Sequence, residues 1–288
     1  MSEQPRPLSE ADKKALTQQI NAAASREAFR YASVLVIGKG RPRSAKNGSG
    51  TCIAIGERRF VATAAHNLRG RSQRDLLVVH EPERPVAPAE TPVILKLGHT
   101  GGGGRSDRCD VGYIELDPAT CPESTDCDFL PLDRIQTSVN YAPKDFVYIC
   151  GFPSCAIPPE YWKRGLGLAP AMTFFFDTVD PAEWRSGLQP DRDIVIDYPE
   201  ESELLNTRTG KSTSIDALPP SGLSGGSIWR VDPNVADPLW TPSQGRLIGI
   251  ERSWRERSRE IYGTQIQHWL QLVAGDYSAL ATQIKEVL

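Results

Sequence analysis

From Tyr31 onward the chain is built of short apolar runs separated by turn signals. Six such runs fall in the first half: 31–37 (YASVLVI), 50–56 (GTCIAIG), 59–63 (RFVAT), 76–80 (LLVVH), 93–97 (VILKL) and 111–116 (VGYIEL). Six more follow at 146–150 (FVYIC), 172–177 (MTFFFD), 193–197 (DIVID), 227–230 (SIWR), 246–251 (RLIGIE) and 261–265 (IYGTQ). Runs of this length, rich in β-branched and aromatic residues, predict strands, and their regular spacing points to a sandwich or barrel. Helical spacing occurs only at the ends. Residues 9–29 carry Ser9 as a candidate N-cap, Glu10 and Asp12 in the first turn, and apolar positions at three- to four-residue intervals. Residues 264–274 predict a second helix, with a break at Gly275-Asp276 and a further helical piece at 278–287. The connections are a Pro-rich acidic stretch at 81–92, a Gly-rich one at 98–108, and long polar segments at 200–221 and 231–245. The charge-mixed run ERSWRERSRE (251–260) is most simply a solvated loop. Domain limits follow the texture: a helical extension at 1–30, strand-rich units at 31–135 and 136–265, and terminal helices at 266–288.

At 288 residues the chain can bury a sizeable core without staples. With 39% apolar and 24% charged residues it has the composition of a folded globule. A net charge of −3 gives no electrostatic reason to expect nucleic acid or an anionic membrane as partner. No apolar run approaches a membrane span, and the first thirty residues hold no secretory apolar core, so a cytoplasmic location is expected. Cys52, Cys109, Cys121, Cys127, Cys150 and Cys155 do not follow paired zinc-knuckle spacing, and reduced structural thiols are the simplest reading.

Three segments could carry chemistry. Phe60-Val-Ala-Thr-Ala-Ala-His66 is a strand ending in a histidine, Asp110-Val-Gly-Tyr-Ile-Glu-Leu116 is an aspartate opening a strand, and Ser224 sits in the Gly-rich turn Ser221-Gly-Leu-Ser-Gly-Gly226 before another. A hydroxyl is a poor nucleophile at neutral pH and needs an imidazole to take its proton. The imidazole needs a carboxylate to fix its tautomer, and glycines let backbone N–H groups turn toward a developing oxyanion. His80, His99 and His268 lack such partners, and Trp229, Trp254 and Trp269 suit core or rim positions.

The motifs TAAH, DVGYIEL and GLSGG, in that order, resemble those of the chymotrypsin/trypsin-like serine peptidases, over roughly residues 31–270. The resemblance implies an all-β fold of two six-stranded antiparallel barrels, here with an N-terminal helix and C-terminal helices. It implies a serine endopeptidase without metal or organic cofactor, acting on a protein or peptide substrate. His66 would be general base and acid, Asp110 would orient it, Ser224 would be the nucleophile, and the N–H groups of Gly222 and Ser224 would form the oxyanion hole. Leu218 would lie at the base of the primary specificity pocket, with Gly249, Ile250 and Glu251 along its wall. Leu218 suggests an apolar or small residue before the cut, and Glu251 a basic one. Ser227 stands where the family motif has proline, and Leu223 where digestive members have an aspartate that pairs with a freshly cut N-terminus. Asn67 replaces a frequent half-cystine, and no cysteine flanks Ser224, which brings the chain nearer bacterial members. Gly222-Leu-Ser-Gly-Gly226 also matches the nucleophile elbow of α/β-hydrolases, but the order of the three groups and the strand after Ser224 disfavour that fold. A binding or assembly module with a latent triad is the alternative from another class. A peptidase activated by a regulatory partner lies between the two.

Overall fold

Alternate side chains of the predicted strands go to different cores, which is why the runs are apolar throughout rather than every second residue. On the strand Ala32–Ile37 (β1), Val34 joins a core shared by the two halves of the molecule, and Leu35 joins a core private to the first half. The same division separates Phe60 from Val61 on Arg58–Ala64 (β3), and Tyr113 from Ile114 on Val111–Leu116 (β6). In the second half it separates Tyr148 from Ile149 on Phe146–Gly151 (β7). Each sheet therefore buries one face in itself and the other against its neighbour.

The computed structural model describes residues 9–38, 46–79, 92–101, 109–121, 128–137, 146–154, 172–205, 212–216, 219–231 and 241–288. All twelve apolar runs are strands. With Lys46–Ile55 (β2), Leu76–Val79 (β4) and Ile94–His99 (β5), the first six form one antiparallel sheet in the order β4-β1-β2-β3-β6-β5. The second sheet adds Met172–Asp177 (β8), Asp193–Asp197 (β9), Ser227–Val231 (β12), Gly245–Arg255 (β13) and Glu260–Gln265 (β14) to β7, in the order β8-β7-β12-β13-β14-β9. Both sheets curl. The Val179 N–H donates to the Val195 carbonyl at 3.0 Å just beyond β8, joining the edges of the second sheet. In the first, the Gln73 side chain spans from the β4 edge to the Leu95 carbonyl at 2.8 Å. The wholly antiparallel pairing within both sheets excludes the parallel α/β-hydrolase arrangement.

Three expectations need correction. The polar segment 200–221 is not only a connection, because Glu201–Leu205 (β10) and Ser212–Asp216 (β11) pair as an antiparallel hairpin. The run 251–260 is a solvated loop only in its second half: its first half continues β13, and Arg252 reaches Asp193 at 2.7 Å and Thr264 at 3.1 Å. Residues 253 and 255–258 are exposed, as a charge-mixed composition suggests. The C-terminal helix begins at Ile266, since Thr264 and Gln265 belong to β14, and it runs through Gly275 to end at Asp276.

Helix Glu10–Phe29 (α1) buries Ala24 and Ala28 in the shared core and holds Glu27 beside Arg134 at 3.0 Å. Helix Ile266–Asp276 (α2) leaves the second sheet but packs on the first. Trp269 Nε1 donates to the Gly112 carbonyl at 3.0 Å, and Tyr113 donates its hydroxyl proton to Asp276 at 2.6 Å. A short last helix, Ala281–Lys285 (α3), buries Ile284. The chain end thus clamps β6, the strand that Asp110 opens, against the second half. Trp229 and Trp269 are both fully buried, and Trp254 stands edge-on to Tyr198 at 5.3 Å.

Candidate active site

Strand β3 delivers His66 at its end, in a single 3-10 turn (Ala65–Asn67). Asp110 immediately precedes β6, the hydrogen-bonded neighbour of β3, so sheet pairing alone sets the two side by side. Asp110 has φ +46°, a left-handed conformation that aspartate tolerates better than most residues. That conformation lets the residue bond the His66 turn through three oxygens. Its carbonyl accepts from Ala65 N–H at 2.9 Å, Oδ1 accepts from His66 N–H at 3.0 Å, and Oδ2 meets His66 Nδ1 at 2.7 Å. Arg69 Nη2 lies 3.3 Å from Oδ1. The carboxylate fixes the ring with a proton on Nδ1 and leaves Nε2 as the base.

Ser224 comes from the second sheet, in the turn before β12. Three bonds tie that turn to the first sheet. Ser49 N–H and Asn67 Nδ2 both donate to the Ser224 carbonyl at 2.9 Å, and the Ser49 hydroxyl donates to the Gly222 carbonyl at 2.8 Å. Asn67 also donates to Thr63 Oγ1 at 3.1 Å, which donates in turn to the Ser49 carbonyl at 2.8 Å. The residue after His66 therefore grips the backbone of Ser224 and ties the two turns to each other.

The turn also aims two N–H groups. In a trans peptide the carbonyl and the following N–H point in opposite directions. The Ser221 carbonyl accepts from Ser154 N–H at 2.7 Å and the Leu223 carbonyl from Gly226 N–H at 2.6 Å. The N–H groups of Gly222 and Ser224 are consequently held facing the other way, and among the described residues neither donates to a partner. Those of Leu223, Gly225 and Gly226 are all occupied. Gly222 has φ +94°, and a Cβ there would lie 2.7 Å from the Phe152 carbonyl and 2.5 Å from the Ser154 hydroxyl, so only glycine fits.

The Ser224 hydroxyl itself does not bond the His66 ring. Its partner is the Arg252 carbonyl, at 3.5 Å, next to Glu251 in β13. Glu251 is held there by its own backbone: its N–H donates to the Gly226 carbonyl and its carbonyl accepts from Gly225 N–H, both at 2.8 Å. Burial pushes its carboxyl up to about 8, with Asp110 adding to the rise and the neighbouring Ser224 and Arg252 opposing it. Its neighbour Arg252 is engaged by Asp193 at 2.7 Å and Thr264 at 3.1 Å. Burial would raise the Asp193 carboxyl, but Arg192, Arg252 and the Gln189 N–H outweigh it and hold the group below its ordinary value.

Of the residues the resemblance assigns to specificity, Leu218 lies outside the described residues. Gly249, Ile250 and Glu251 are all buried, with Ile250 part of the shared core. His80, Cys127 and Cys155 also fall outside the described residues. His99 Nδ1 meets the Thr100 carbonyl at 3.4 Å and His268 Nε2 the Asp191 carbonyl at 3.1 Å, both remote from the Ser224 turn in their bonding. Cys150 is a buried free thiol pushed up to about 12 by burial. No His/Cys/Asp/Glu cluster able to hold a metal occurs among the described residues. No helix among them is long and apolar enough to cross a membrane.

No protein-family model matches this sequence, and no curated protein sequence does. A solved structure does match: a scabies mite inactivated protease paralogue, with a TM-score of 0.55 and 13% identity, covering 88% of this chain and 97% of that one. At that identity the likeness concerns the fold. Two curled six-stranded antiparallel sheets with flanking helices are the chymotrypsin-like architecture, and this chain has it.

Proposed function

We propose that the chain is a serine endopeptidase. The observation that carries the reading is the facing of two assemblies across the sheets: a His66–Asp110 pair with a free Nε2, and a Ser224 turn whose Gly222 and Ser224 N–H groups are aimed and unoccupied. Ser224 Oγ would attack a peptide carbonyl carbon while His66 Nε2 takes its proton. The oxyanion would sit on the two N–H groups. Collapse breaks the C–N bond, and His66 returns the proton to the leaving amine. Water then attacks the ester carbonyl as His66 takes one of its protons, and the C–O bond to Ser224 breaks as His66 returns that proton to Oγ, releasing the carboxylic acid. No metal or organic cofactor has a part in these steps. Exposure of His66 and partial exposure of Ser224 are consistent with access by a protein or peptide substrate.

A second reading has a specific observation behind it. The Ser224 hydroxyl is bonded away from His66, and the matching solved structure is titled an inactivated paralogue. A binding module with a latent triad would look the same at rest. Incubation of the purified chain with a peptide library, beside the Ser224→Ala protein, separates the two. The peptidase reading expects cleavage that disappears in Ser224→Ala. Equal cleavage by both proteins, or none by either across the library, would overturn it.

A further inference from the structure

Asp110 holds a left-handed backbone at φ +46°, and a residue other than glycine keeps such a conformation only where its surroundings fix it. Two peptide planes meet at its Cα, and each is pinned from a different sheet. The plane that follows is held from the first sheet, where Ala65 N–H donates to the Asp110 carbonyl at 2.9 Å. The plane that precedes is held from the second, where the Thr264 hydroxyl on β14 donates to the Cys109 carbonyl. Thr264 is fully buried, and its oxygen accepts from Arg252 Nη1 at 3.1 Å, which leaves the hydroxyl proton directed at Cys109. Arg252 is anchored in turn by Asp193 at 2.7 Å. Asp193 is a fully buried carboxylate that also holds Arg192 at 2.6 Å and accepts from Gln189 N–H at 2.7 Å. A line of polar groups thus runs from β9 through β13 and β14 to the residue before Asp110. Desolvating a carboxylate is expensive, and this line ends on the one strained member of the triad proposed above.

We propose that Thr264 is a positioning residue: its hydroxyl, aimed by the Asp193–Arg252 pair, holds the Cys109–Asp110 peptide so that the Asp110 carboxylate meets His66. The inference rests on the peptidase reading and deepens it. The φ angle of Asp110 is the rotation about its N–Cα bond. Fixing the planes on both sides of Cα fixes that rotation, and with it the direction in which the side chain leaves. From there Oδ1 reaches the His66 N–H at 3.0 Å and Oδ2 the ring Nδ1 at 2.7 Å. Without the bond from Thr264 the preceding peptide relaxes toward the negative φ that aspartate ordinarily favours, and the carboxylate swings off the ring. The His66–Asp110 pair then depends on the seam between the two halves as well as on the first sheet. Arg252 serves that seam twice, since its side chain aims Thr264 and its carbonyl meets the Ser224 hydroxyl at 3.5 Å.

The test is the second-order rate at which a fluorophosphonate labels Ser224, located by peptide mapping, in the full-length wild type, Thr264→Val and Thr264→Ser. Thermal melting checks that each is folded, and Thr264→Ala replaces the valine variant should that fail to fold. Valine keeps the shape of threonine and removes the hydroxyl, so labelling slows about five- to ten-fold, the worth of one net hydrogen bond. Serine keeps the hydroxyl and labels like wild type. Loss of packing would not allow that rescue, because serine fills less of the buried site than valine does. Wild-type labelling with no slowing in the valine or alanine variant overturns the positioning role and leaves the peptidase standing. Slowing in Thr264→Ser equal to that in Thr264→Val also overturns it. Folded proteins of which none is labelled would overturn the peptidase reading, and the role of Thr264 with it.

Discussion

His66 and Ser224 sit on facing sheets, and their surroundings differ in kind. On the first sheet every oxygen of Asp110 is engaged with the His66 turn or with Arg69, and the ring is held from its Nδ1 side. On the second sheet the backbone of the Ser224 turn is equally well fixed, but its hydroxyl meets the Arg252 carbonyl at 3.5 Å and not the His66 ring. The His66–Asp110 pair is set by pairing two adjacent strands of one sheet. Ser224 depends on a turn gripped from the other sheet, and its side chain points to the Arg252 carbonyl.

Substitutions can break that comparison in graded fashion. His66→Ala should lower peptide turnover by about a million-fold, as expected where nucleophile and base act as a unit, and loss of much less would deny the unit. Asp110→Asn should keep the fold but lower turnover by about ten thousand-fold, because the amide favours the wrong tautomer. Gly222→Ala should cost about a hundred- to a thousand-fold in kcat, since its Cβ displaces the peptide that aims an N–H. A rise in KM alone would mean that the N–H groups serve only binding.

The smaller effects concern stability. Glu251 binds a proton up to about pH 8 in the folded chain, against 4.5 for an ordinary glutamate. Between those values the folded state holds a proton that the unfolded state has released. Its contribution is therefore complete at the acid end and declines as pH rises through the window, by at most about 1.4 kcal/mol per pH unit. Denaturant unfolding of wild type and Glu251→Gln from pH 5 to 8 should show that the glutamine protein lacks this part of the slope. Asn67→Ala should cost only about 1 kcal/mol in the same assay, because the Ser224 carbonyl keeps its bond from Ser49.

The strands and the three candidate groups were legible because each rests on local signals. Apolar runs such as VLVI and FVYIC have no other period to follow, and TAAH, the aspartate and the Gly-rich serine turn each adjoin one. What escaped was whatever depends on approach between distant segments. Ser49 could have been suspected, since Gly48 and Gly50 flank it in a strand. Their missing side chains admit Asn67 on one side and Val61 on the other. Nothing local in ERSW tells that Glu251 faces Ser224 and that Arg252 faces Asp193. That follows from β13 pairing on into the nucleophile turn, a long-range register. The β10–β11 hairpin was hidden because its strands are polar and lack the apolar run used to find the others.

The most direct measurement of the central claim is the mass of intact wild-type protein after exposure to a fluorophosphonate, followed by mapping of the modified peptide. The account predicts one adduct per chain, on Ser224, that is lost in both Ser224→Ala and His66→Ala. An adduct that forms at undiminished rate in His66→Ala, or that maps to another serine, would contradict it.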